Sequence, residues 1–506
     1  MRRDLILLSL LLATPAAAAP LFAPRDMPVH VYDGGWVHFV GGGISAFDCN
    51  GDALPELFAA GGSNPAQLFL NRSRPGGDLS YEVAEDSGLG FEGVTGAYPL
   101  DIDSDGVTDL AILRVGENRL MHGLGDCRFA PFEDMGFASD DRWTTAFSAT
   151  WEAGQSLPTL AFGNYVDRAD PDGPFEACDA NRLYRPEGDR YTAPVLLDPG
   201  FCALSMLFTD WGRQGRADLR VSNDRHYYVR GGQEQMWAME DTPRLYTHAD
   251  GWQTHRLWGM GIASRDLDGD GLSEVFMTSM GDQRLQVLER GAHGPTYDDA
   301  PYERGTTAHR PYTGGDGRPS TGWHAVFGDV QNDGWDDLFI AKGNVEQMPG
   351  SAMQDPNNLL LGTADGTFHE DGLQAGVASL ARSRGAALHD LNADGLLDLA
   401  VLNRRAPLEL YQNVTEDGGH WLAVEVSQDG TNRLAVGAFV EVRAGDRLWT
   451  QEITVGGGHA GGVAGPLHFG LGQAQEVDLR VIWPDGTEGA WQTVAVDQPV
   501  SLSRGG

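Results

Sequence analysis

Five segments of the sequence repeat one spacing of oxygen-bearing side chains, at positions one, three, five and nine of a short loop. Carboxylate and amide oxygens that alternate along a tight loop can face one centre, and Ca²⁺ accepts six to eight such ligands. A backbone carbonyl at position seven would add one more oxygen. These five acidic loops, first to fifth in chain order, are DCNGDALPELF from Asp48, DIDSDGVTDLA from Asp101, DLDGDGLSEVF from Asp266, DVQNDGWDDLF from Asp329 and DLNADGLLDLA from Asp390.

The spacing predicts about five Ca²⁺ sites, one in each acidic loop. Mg²⁺ is less favoured because it demands octahedral geometry and keeps its waters. Glycine occupies position six of four loops, where it permits the required turn. The predicted metal ligands are, loop by loop, Asp48, Asn50, Asp52, Leu54 and Glu56; Asp101, Asp103, Asp105, Val107 and Asp109; Asp266, Asp268, Asp270, Leu272 and Glu274; Asp329, Gln331, Asp333, Trp335 and Asp337; and Asp390, Asn392, Asp394, Leu396 and Asp398.

The acidic loops have two alternative interpretations, an EF-hand and a solvated turn. An EF-hand opens with a similar pattern but requires a bidentate Glu at position twelve. Position twelve is instead apolar in all five segments, namely Ala59, Ile112, Met277, Ile340 and Val401. A solvated turn rich in Asp is the simpler interpretation of any single segment. Recurrence of one spacing five times favours metal-binding repeats.

The acidic loops also define a longer repeat. Their starts lie 53, 165, 63 and 61 residues apart, so the long interval has room for two further units. Two weaker copies fill it, WEAGQSLPTLAF from Trp151 and DWGRQGRADLR from Asp210. They keep too few acids for an ion, since the first offers Glu152 alone and the second only Asp210 and Asp218. The sequence therefore predicts seven units of 50 to 63 residues between about residues 40 and 415.

Short apolar runs such as GISAF, AYPL and HAVF enter each loop, and another apolar run leaves it. Runs of this length, with frequent turns and no long helical periodicity, indicate strands. Multi-stranded repeats of this size are typical of propeller blades, whose radial packing leaves few exposed edges. The predicted fold is all-β, a seven-bladed β-propeller followed by a small C-terminal β domain.

The C-terminal domain is predicted from apolar clusters that follow His420. WLAVEVS, AFVEVRAG, RLWTQEITV and EVDLRVIWP lie between Gly and Asp turns, which indicates a small antiparallel β domain. Asp485 and Gly486 have the residue types of a hairpin turn. This region contains no acidic loop of the kind described above.

The amino-acid composition restricts the kinds of partner that the protein is expected to bind. Acids number 72 and Lys plus Arg 36, which leaves a formal net charge of −36. Phosphate backbones and anionic lipids would be repelled by such a surface, so neither nucleic acid nor a membrane surface is expected as a partner. No later segment is apolar enough to span a bilayer.

The N-terminus has the order of a secretory signal. Arg2 and Arg3 precede an apolar run from Leu5 to Leu12, and small residues follow from Ala16 to Ala19. The apolar run is far shorter than the ~20 residues that span a bilayer, which disfavours a membrane anchor. The sequence predicts cleavage after Ala18 and a periplasmic or secreted mature protein.

Four cysteines suit an oxidising compartment, where disulfides persist. Four cysteines allow three pairings, and the sequence alone does not decide among them. The favoured pairing joins Cys178 to Cys202 and Cys49 to Cys127, because each bond would tie nearby segments together. Two buried free thiols are the alternative, and no CxxC spacing suggests zinc or thiol redox chemistry.

The repeats resemble a known family. The acidic loops, with GNYVD from Gly163 and WGMGIASRDLDGDG from Trp258, are similar to the FG-GAP/VCBS repeats of the cartilage acidic protein family. The C-terminal region is similar to the ASPIC/UnbV domain that ends those proteins. The motifs that carry this second resemblance are NRLAVGAFVEVRAG from Asn432, GGGHAGG from Gly456, LHFGLG from Leu467 and VIWPDG from Val481.

The resemblance covers about residues 40 to 500 and implies an exported seven-bladed propeller with calcium in its blade loops and no well-established activity. The two ion-poor units and the insertion around Cys178 and Cys202 depart from the family pattern, so calcium is not assigned there. The predicted domains are a signal peptide at 1–18, an FG-GAP/VCBS propeller at 19–415 and an ASPIC/UnbV-like domain at 416–506.

Two functions remain open at this point. The favoured one is a binding or adhesion scaffold for an unknown protein or glycan ligand, without catalysis. The alternative is a calcium-dependent hydrolase or lyase with its site at the central opening of the propeller. Its best candidate cluster is the segment NDRHYY at 223–228, with Tyr165 and Asp167 as neighbours, because His and Asp can act as acid and base. Turn and strand-edge roles are the simpler explanation for these residues.

Overall fold

A computed structural model of the chain describes residues 18–170, 177–224, 229–307 and 309–505. These residues form an all-β protein with 37 strands and three short 3₁₀ turns, at Trp36–His38, His248–Asp250 and Tyr302–Arg304. Among the described residues, no helix has the length and apolar character to cross a membrane. The predicted signal peptide lies almost wholly outside them.

Most strands belong to seven consecutive groups of four antiparallel strands, here called the first to seventh sheet. The first three sheets are β2 (Ile44–Phe47), β3 (Glu56–Ala59), β4 (Gln67–Asn71) and β5 (Tyr81–Val83); β6 (Val94–Leu100), β7 (Asp109–Gly116), β8 (Arg119–Gly123) and β9 (Phe129–Pro131); and β10 (Arg142–Thr150), β11 (Thr159–Asn164), β12 (Asn181–Tyr184) and β15 (Val195–Leu197). A small hairpin, β13 (Pro186–Glu187) and β14 (Arg190–Tyr191), interrupts the third sheet. β10 also pairs with β7, which joins the second sheet to the third.

The other four sheets repeat the arrangement. They are β16 (Ala203–Thr209), β17 (Asp218–Asn223), β18 (Gln235–Ala238) and β19 (Arg244–Leu245); β20 (Gly259–Arg265), β21 (Glu274–Ser279), β22 (Arg284–Leu288) and β23 (Tyr297–Asp299); β24 (Gly322–Gly328), β25 (Asp337–Lys342), β26 (Asn358–Gly362) and β27 (Phe368–Glu370); and β28 (Arg382–His389), β29 (Asp398–Arg404), β30 (Glu409–Asn413) and the N-terminal β1 (Phe22–Arg25). β1 pairs with β30, so the start of the described chain completes the seventh sheet.

The first strands of the seven sheets surround a common centre. β2, β6, β10, β16, β20, β24 and β28 contact one another in that order, and β28 contacts β2. These strands are almost wholly buried, as in β6, where every residue from Val94 to Leu100 is buried. Core clusters join neighbouring sheets, for example Phe339 of the sixth sheet with Leu399 of the seventh and Phe22 of β1. Burial of apolar area between sheets therefore closes the ring.

The C-terminal region forms two further sheets around a core of its own that includes Leu422, Val440 and Leu479. One sheet has the order β34 (Leu467–Gly472), β31 (His420–Gln428) and β37 (Gln498–Arg504). The other has the order β33 (Arg447–Glu452), β32 (Phe439–Ala444), β35 (Glu476–Ile482) and β36 (Gln492–Ala495). The expectation of a purely antiparallel domain is wrong for one pair, because β31 and β37 run parallel from Leu422 opposite Gln498 to Gln428 opposite Arg504.

The loop between β33 and β34 enters the centre of the ring. Its residues 455–463, here called the axial loop, form isolated bridges with β2, β6, β10, β16 and β20. Ala97 of β6 donates its N–H to the carbonyl of Ala460 at 3.1 Å. Gly96 lies so close to this loop that a Cβ there would be 1.7 Å from Ala460 O. Glycine is therefore required where the inner strand and the loop meet.

Both disulfides of the favoured pairing are present. Cys49 bonds to Cys127, which ties the first sheet to the second, and Cys178 bonds to Cys202, which ties the insertion of the third sheet to the start of the fourth. No cysteine of the chain is free. The prediction of two local disulfides is confirmed.

Candidate metal centres

The acidic loops occupy one structural position. Each joins the first and second strands of its sheet, in the first, second, fifth, sixth and seventh sheets. Positions four and six are left-handed in all five loops, as at Ser104 (φ 62°) and Gly106 (φ 90°) of the second loop. Ala53 adopts this conformation (φ 63°) at position six of the first loop, the one loop without glycine there. The common backbone explains why one ligand spacing recurs.

The position-one aspartate holds each loop closed. In the second loop, the N–H of Asp105 donates to Asp101 Oδ1 at 3.1 Å and the N–H of Gly106 to Oδ2 at 3.0 Å. In the third loop the same aspartate, Asp266, accepts the N–H groups of Asp270 and Gly271. Position-one carboxylates therefore have their orientation set by the backbone before any ion arrives.

The position-nine carboxylate fixes the loop to the sheet. Asp109 Oδ2 accepts the N–H of Ile102 at 2.8 Å, and its Oδ1 accepts the N–H of Gly123 on the third strand at 2.8 Å. Asp337 of the fourth loop accepts the two equivalent N–H groups, those of Val330 and Gly362. These side chains therefore have a structural role as well as the predicted ligand role, and each oxygen keeps a second lone pair for a cation.

Ligand oxygens converge where position three is an acid. Carboxylate oxygens of Asp101, Asp103 and Asp109 lie within 4.8 Å of one another, and the same holds for Asp266, Asp268 and Glu274 of the third loop. In the fourth and fifth loops, position three is an amide whose oxygen is buried and accepts no hydrogen bond: Gln331 Oε1 and Asn392 Oδ1. Convergent carboxylates and unpartnered amide oxygens are the donor set of a hard cation, so the residues present fit Ca²⁺.

Burial makes these acids reluctant to ionise without a cation. It raises the pKa of Asp109 to about 8, with smaller contributions from the charges of Asp103 and Asp101. It raises the pKa of Glu274 to about 8 and that of Glu56 to about 7 in the same way. A bound divalent ion would offset both burial and mutual repulsion, since an opposite charge favours the ionised form.

In the two ion-poor units, acids that remain are paired with other side chains of the protein. In the third sheet, Arg185 Nε pairs with Glu152 Oε1 at 2.8 Å. In the fourth sheet, Asp218 accepts Trp211 Nε1–H at 2.9 Å and lies 3.3 Å from Arg216 Nη2. A guanidinium therefore lies beside Glu152 in one unit and beside Asp218 in the other.

The C-terminal domain covers the face that carries the acidic loops. Asn432 N–H donates to Ser104 Oγ of the second loop at 3.0 Å, and Trp449 Nε1–H donates to the carbonyl of Gly334 in the fourth loop at 3.0 Å. In the fourth sheet, Glu452 accepts the N–H of Asp210 at 2.8 Å. The geometry of the loops and the seating of this domain are therefore linked.

Sequence reasoning missed one side chain at the acidic loops. His122, on β8, places Nε2 3.2 Å from Asp105 Oδ2 and 3.5 Å from Asp103 Oδ2. Its ring also stacks on Phe132, with centroids 4.8 Å apart. The sequence signal for this contact is the position of His122 in the third strand of the unit, one residue before Gly123.

The candidate catalytic cluster is only partly described. Tyr165 donates its hydroxyl to Asp224 Oδ2 at 2.5 Å, and both residues are buried. Asp167 lies in a turn and accepts the N–H of Ala169 at 2.9 Å. The segment 225–228, with His226, lies outside the described residues. The described part of the cluster is a buried contact between the third and fourth sheets.

Comparison with known proteins identifies relatives for both regions. Residues 428–506 match the ASPIC and UnbV family. Cartilage acidic protein 1 of Mus musculus is 24% identical over 480 residues, which cover 88% of this chain and 70% of the relative. These findings confirm the family resemblance predicted from the motifs, and both regions of the chain contribute to it.

Solved structures give weaker likenesses. BBS1N in complex with ARL6DN is 10% identical with a TM-score of 0.43, and the match covers 78% of this chain and 97% of that one. The extracellular domain of BT4673 from B. thetaiotaomicron is 7% identical with a TM-score of 0.41, and the match covers 91% of this chain and 57% of that one. An Agrocybe aegerita protein that recognises terminal N-acetylglucosamine is 15% identical with a TM-score of 0.36, and the match covers 79% of this chain and 94% of that one.

Proposed function

Because the chain resembles the cartilage acidic protein family over most of its length, we propose that it is an exported, calcium-binding β-propeller that acts as a binding or adhesion scaffold. The ligand is a protein or a glycan. The single observation that supports the proposal is the shared geometry of the acidic loops, in which oxygen-bearing side chains recur at the same positions in five sheets.

The ring of sheets supports a seven-bladed propeller. Seven first strands contact one another in cyclic order, and each begins a four-stranded antiparallel group. β1 completes the last group by pairing with β30, which closes the ring with strands from both ends of the propeller region. Radial repetition of this kind leaves short, protected sheet edges.

Calcium would have a structural role in this fold. When bound, Ca²⁺ supplies a positive charge that neutralises the carboxylates of each loop. The residues that would hold it are the predicted ligands at positions one, three, five, seven and nine. Position-one and position-nine side chains such as Asp101 and Asp109 are already held by backbone N–H groups, so the chain itself orients them.

The centre of the ring argues against the alternative of a hydrolase or lyase site there. The axial loop lies against the inner strands of five sheets, and His459 within it is fully buried. A substrate would have to displace this loop to reach the centre. A scaffold instead uses the outer rim and the face that the C-terminal domain does not cover.

Two observations support export. Both disulfides require an oxidising compartment to persist. The N-terminal order of charged, apolar and small residues is that of a cleaved secretory signal. Together they favour a periplasmic or secreted mature protein that begins after Ala18.

The test is a pull-down from envelope extract with the mature protein as bait, with Ca²⁺ and with excess chelator. We expect specific partners that are retained with Ca²⁺ and lost with chelator, together with about five bound Ca²⁺ per chain by elemental analysis. Turnover of a glycan, phosphate ester or peptide by the same preparation would contradict the scaffold proposal. Absence of bound Ca²⁺ would contradict the metal assignment.

A further inference from the structure

One acidic loop differs from the others because a nitrogen ligand lies beside it. In each sheet with an acidic loop, one residue of the third strand lies opposite position nine when the strand register is continued by one pair. By register this residue is Leu70, His122, Val287, Leu361 or Gln412 in the sheets with acidic loops. Among these five described residues, His122 beside the second loop alone carries an imidazole.

We propose that the second acidic loop binds a transition-series divalent cation, of which Zn²⁺ is the probe, through His122, Asp103 and Asp105. This inference rests on the proposed function only in treating the loop as a cation site. Ca²⁺ takes oxygen ligands, whereas Zn²⁺ is bound by imidazole nitrogen together with carboxylate oxygen. The donor set of the second loop thus differs in kind from that of the other four.

The distances agree with shared coordination. Ligands that each lie about 2.1 Å from a tetrahedral Zn²⁺ are separated from one another by about 3.4 Å. His122 Nε2 lies 3.2 Å from Asp105 Oδ2 and 3.5 Å from Asp103 Oδ2. These three ligand atoms all lie within 4.8 Å of one another. Small adjustments would bring them around one ion.

The backbone orients these ligands. Asp105 Oδ1 accepts the N–H of Val107 at 2.8 Å and Asp103 Oδ1 accepts the N–H of Asp105 at 3.3 Å, so in both side chains Oδ2 faces His122. The imidazole is held by its stack on Phe132. His122, Asp103 and Asp105 are partly exposed, which leaves a fourth position for water. Three protein ligands plus water is a common zinc arrangement.

Asp103 and Asp105 are also predicted calcium ligands, so the two ions compete. The second loop should therefore exchange its Ca²⁺ for Zn²⁺, while the other four loops keep Ca²⁺. His122→Leu gives the second loop the residue found at Leu70 of the first sheet and should restore an oxygen-only site. Val287→His is the reverse change in the third loop, where positions three and five are also acids, Asp268 and Asp270, and it should create a zinc site there.

The experiment is equilibrium dialysis of the full mature chain against equimolar Zn²⁺ with Ca²⁺ present, followed by elemental analysis of both metals. We expect one Zn²⁺ on the wild type, none on His122→Leu and two on Val287→His. His293→Leu, which removes an exposed histidine from another loop, should keep the zinc of the wild type and controls for adventitious binding. Unchanged circular dichroism shows that each variant is folded.

Zinc bound equally by His122→Leu and the wild type overturns the inference, as does a wild type that binds Ca²⁺ but no Zn²⁺. The second outcome leaves the proposed calcium scaffold intact. If the wild type binds Zn²⁺, His122→Leu does not, and neither protein holds Ca²⁺, the result supports the zinc site and contradicts the calcium proposal. If His122→Leu does not fold, a failure of Val287→His to gain zinc overturns the inference independently.

Discussion

The backbone N–H of His459 donates to Nδ1 of His324 at 3.0 Å. This bond joins the axial loop to the first strand of the sixth sheet, and it requires that the His324 proton sit on Nε2. The ring of His459 also packs against Trp323, with centroids 5.1 Å apart. Burial lowers the pKa of His324 to about 4 and that of His459 to about 3, so both rings are neutral at pH 7. The C-terminal domain is therefore attached to the ring at its centre as well as at its face.

Removal of Ca²⁺ should lower the melting temperature. A ligand that binds only the folded state at 100 times its Kd stabilises that state by about 2.7 kcal/mol per site. Without the ions, clustered carboxylates such as Asp101 and Asp103 repel each other. Differential scanning calorimetry with excess chelator, and again after Ca²⁺ is restored, measures the effect. An identical melting curve in both conditions would count against calcium.

Calcium-free protein should lose stability as the pH rises from about 4 to 8. The folded-state pKa values of Asp109 and Glu274 are raised to about 8, above those of the unfolded chain. The folded state therefore binds more protons across this interval, and its free energy of unfolding falls as the pH rises. With saturating Ca²⁺ the loss should shrink or reverse. Urea unfolding at pH 5 and pH 8, with and without chelator, checks the sign.

Asp266→Ala should reduce stability and remove one bound Ca²⁺, because Asp266 is the position-one ligand of the third acidic loop. Asp210→Ala is the matched control. Asp210 accepts the N–H groups of Gln214 and Gly215 in an ion-poor unit, so its loss should destabilise the fold without changing the calcium count. Elemental analysis and thermal unfolding of both variants separate the two effects. Equal calcium in wild type and Asp266→Ala would refute the assignment.

Gly96→Ala should destabilise the protein by about 1–3 kcal/mol, the usual effect of overpacking. Its Cβ would lie 1.7 Å from the carbonyl oxygen of Ala460 in the axial loop. Gly90→Ala, six positions earlier, is the control because no atom lies within 4 Å of its Cβ. Chemical denaturation compares the two. Equal stability of the variants would mean that the axial loop does not fill the ring.

Lys342→Met should cost about 3–5 kcal/mol, because it leaves a buried carboxylate without its cationic partner. Lys342 is the single lysine of the chain. Its Nζ lies 3.0 Å from Asp355 Oδ1, and both side chains are 0% exposed. Arg72→Met breaks an exposed pair with Glu82 and should change stability by about 0–1 kcal/mol. Urea titration distinguishes them, and similar losses for both would contradict this ranking.

Local features of the fold could be predicted from the sequence. The strands around each acidic loop and the repeated units follow from patterns within a few tens of residues, and the two disulfides join the nearby segments that the favoured pairing named. Turn glycines and alternating acids require a defined backbone, which is why the left-handed positions recur. Ala53 shows that the surrounding loop can impose that conformation on a residue other than glycine.

Contacts between distant parts of the chain could not be predicted. The GGGHAGG segment was recognised as a family motif, yet nothing local indicates that Gly461 pairs with Ala97 of β6. The parallel pairing of β31 with β37 depends on how the C-terminal sheets pack, and hydrophobic alternation is the same for either direction. His122 reaches its acidic loop only through strand register, which single-residue spacing does not reveal.

The pairing of β1 with β30 has a kinetic consequence. Phe22 and Asn413 are partners in this pair, although they lie 391 positions apart. Folding slows as the sequence separation of contacts grows, because chain entropy must be lost before such contacts form. A folding chain therefore presents an open edge on β30 until its own N-terminal strand pairs with it. During that interval the β1 strand of a neighbouring copy competes for the same edge, so folding at high protein concentration favours strand-exchanged pairs.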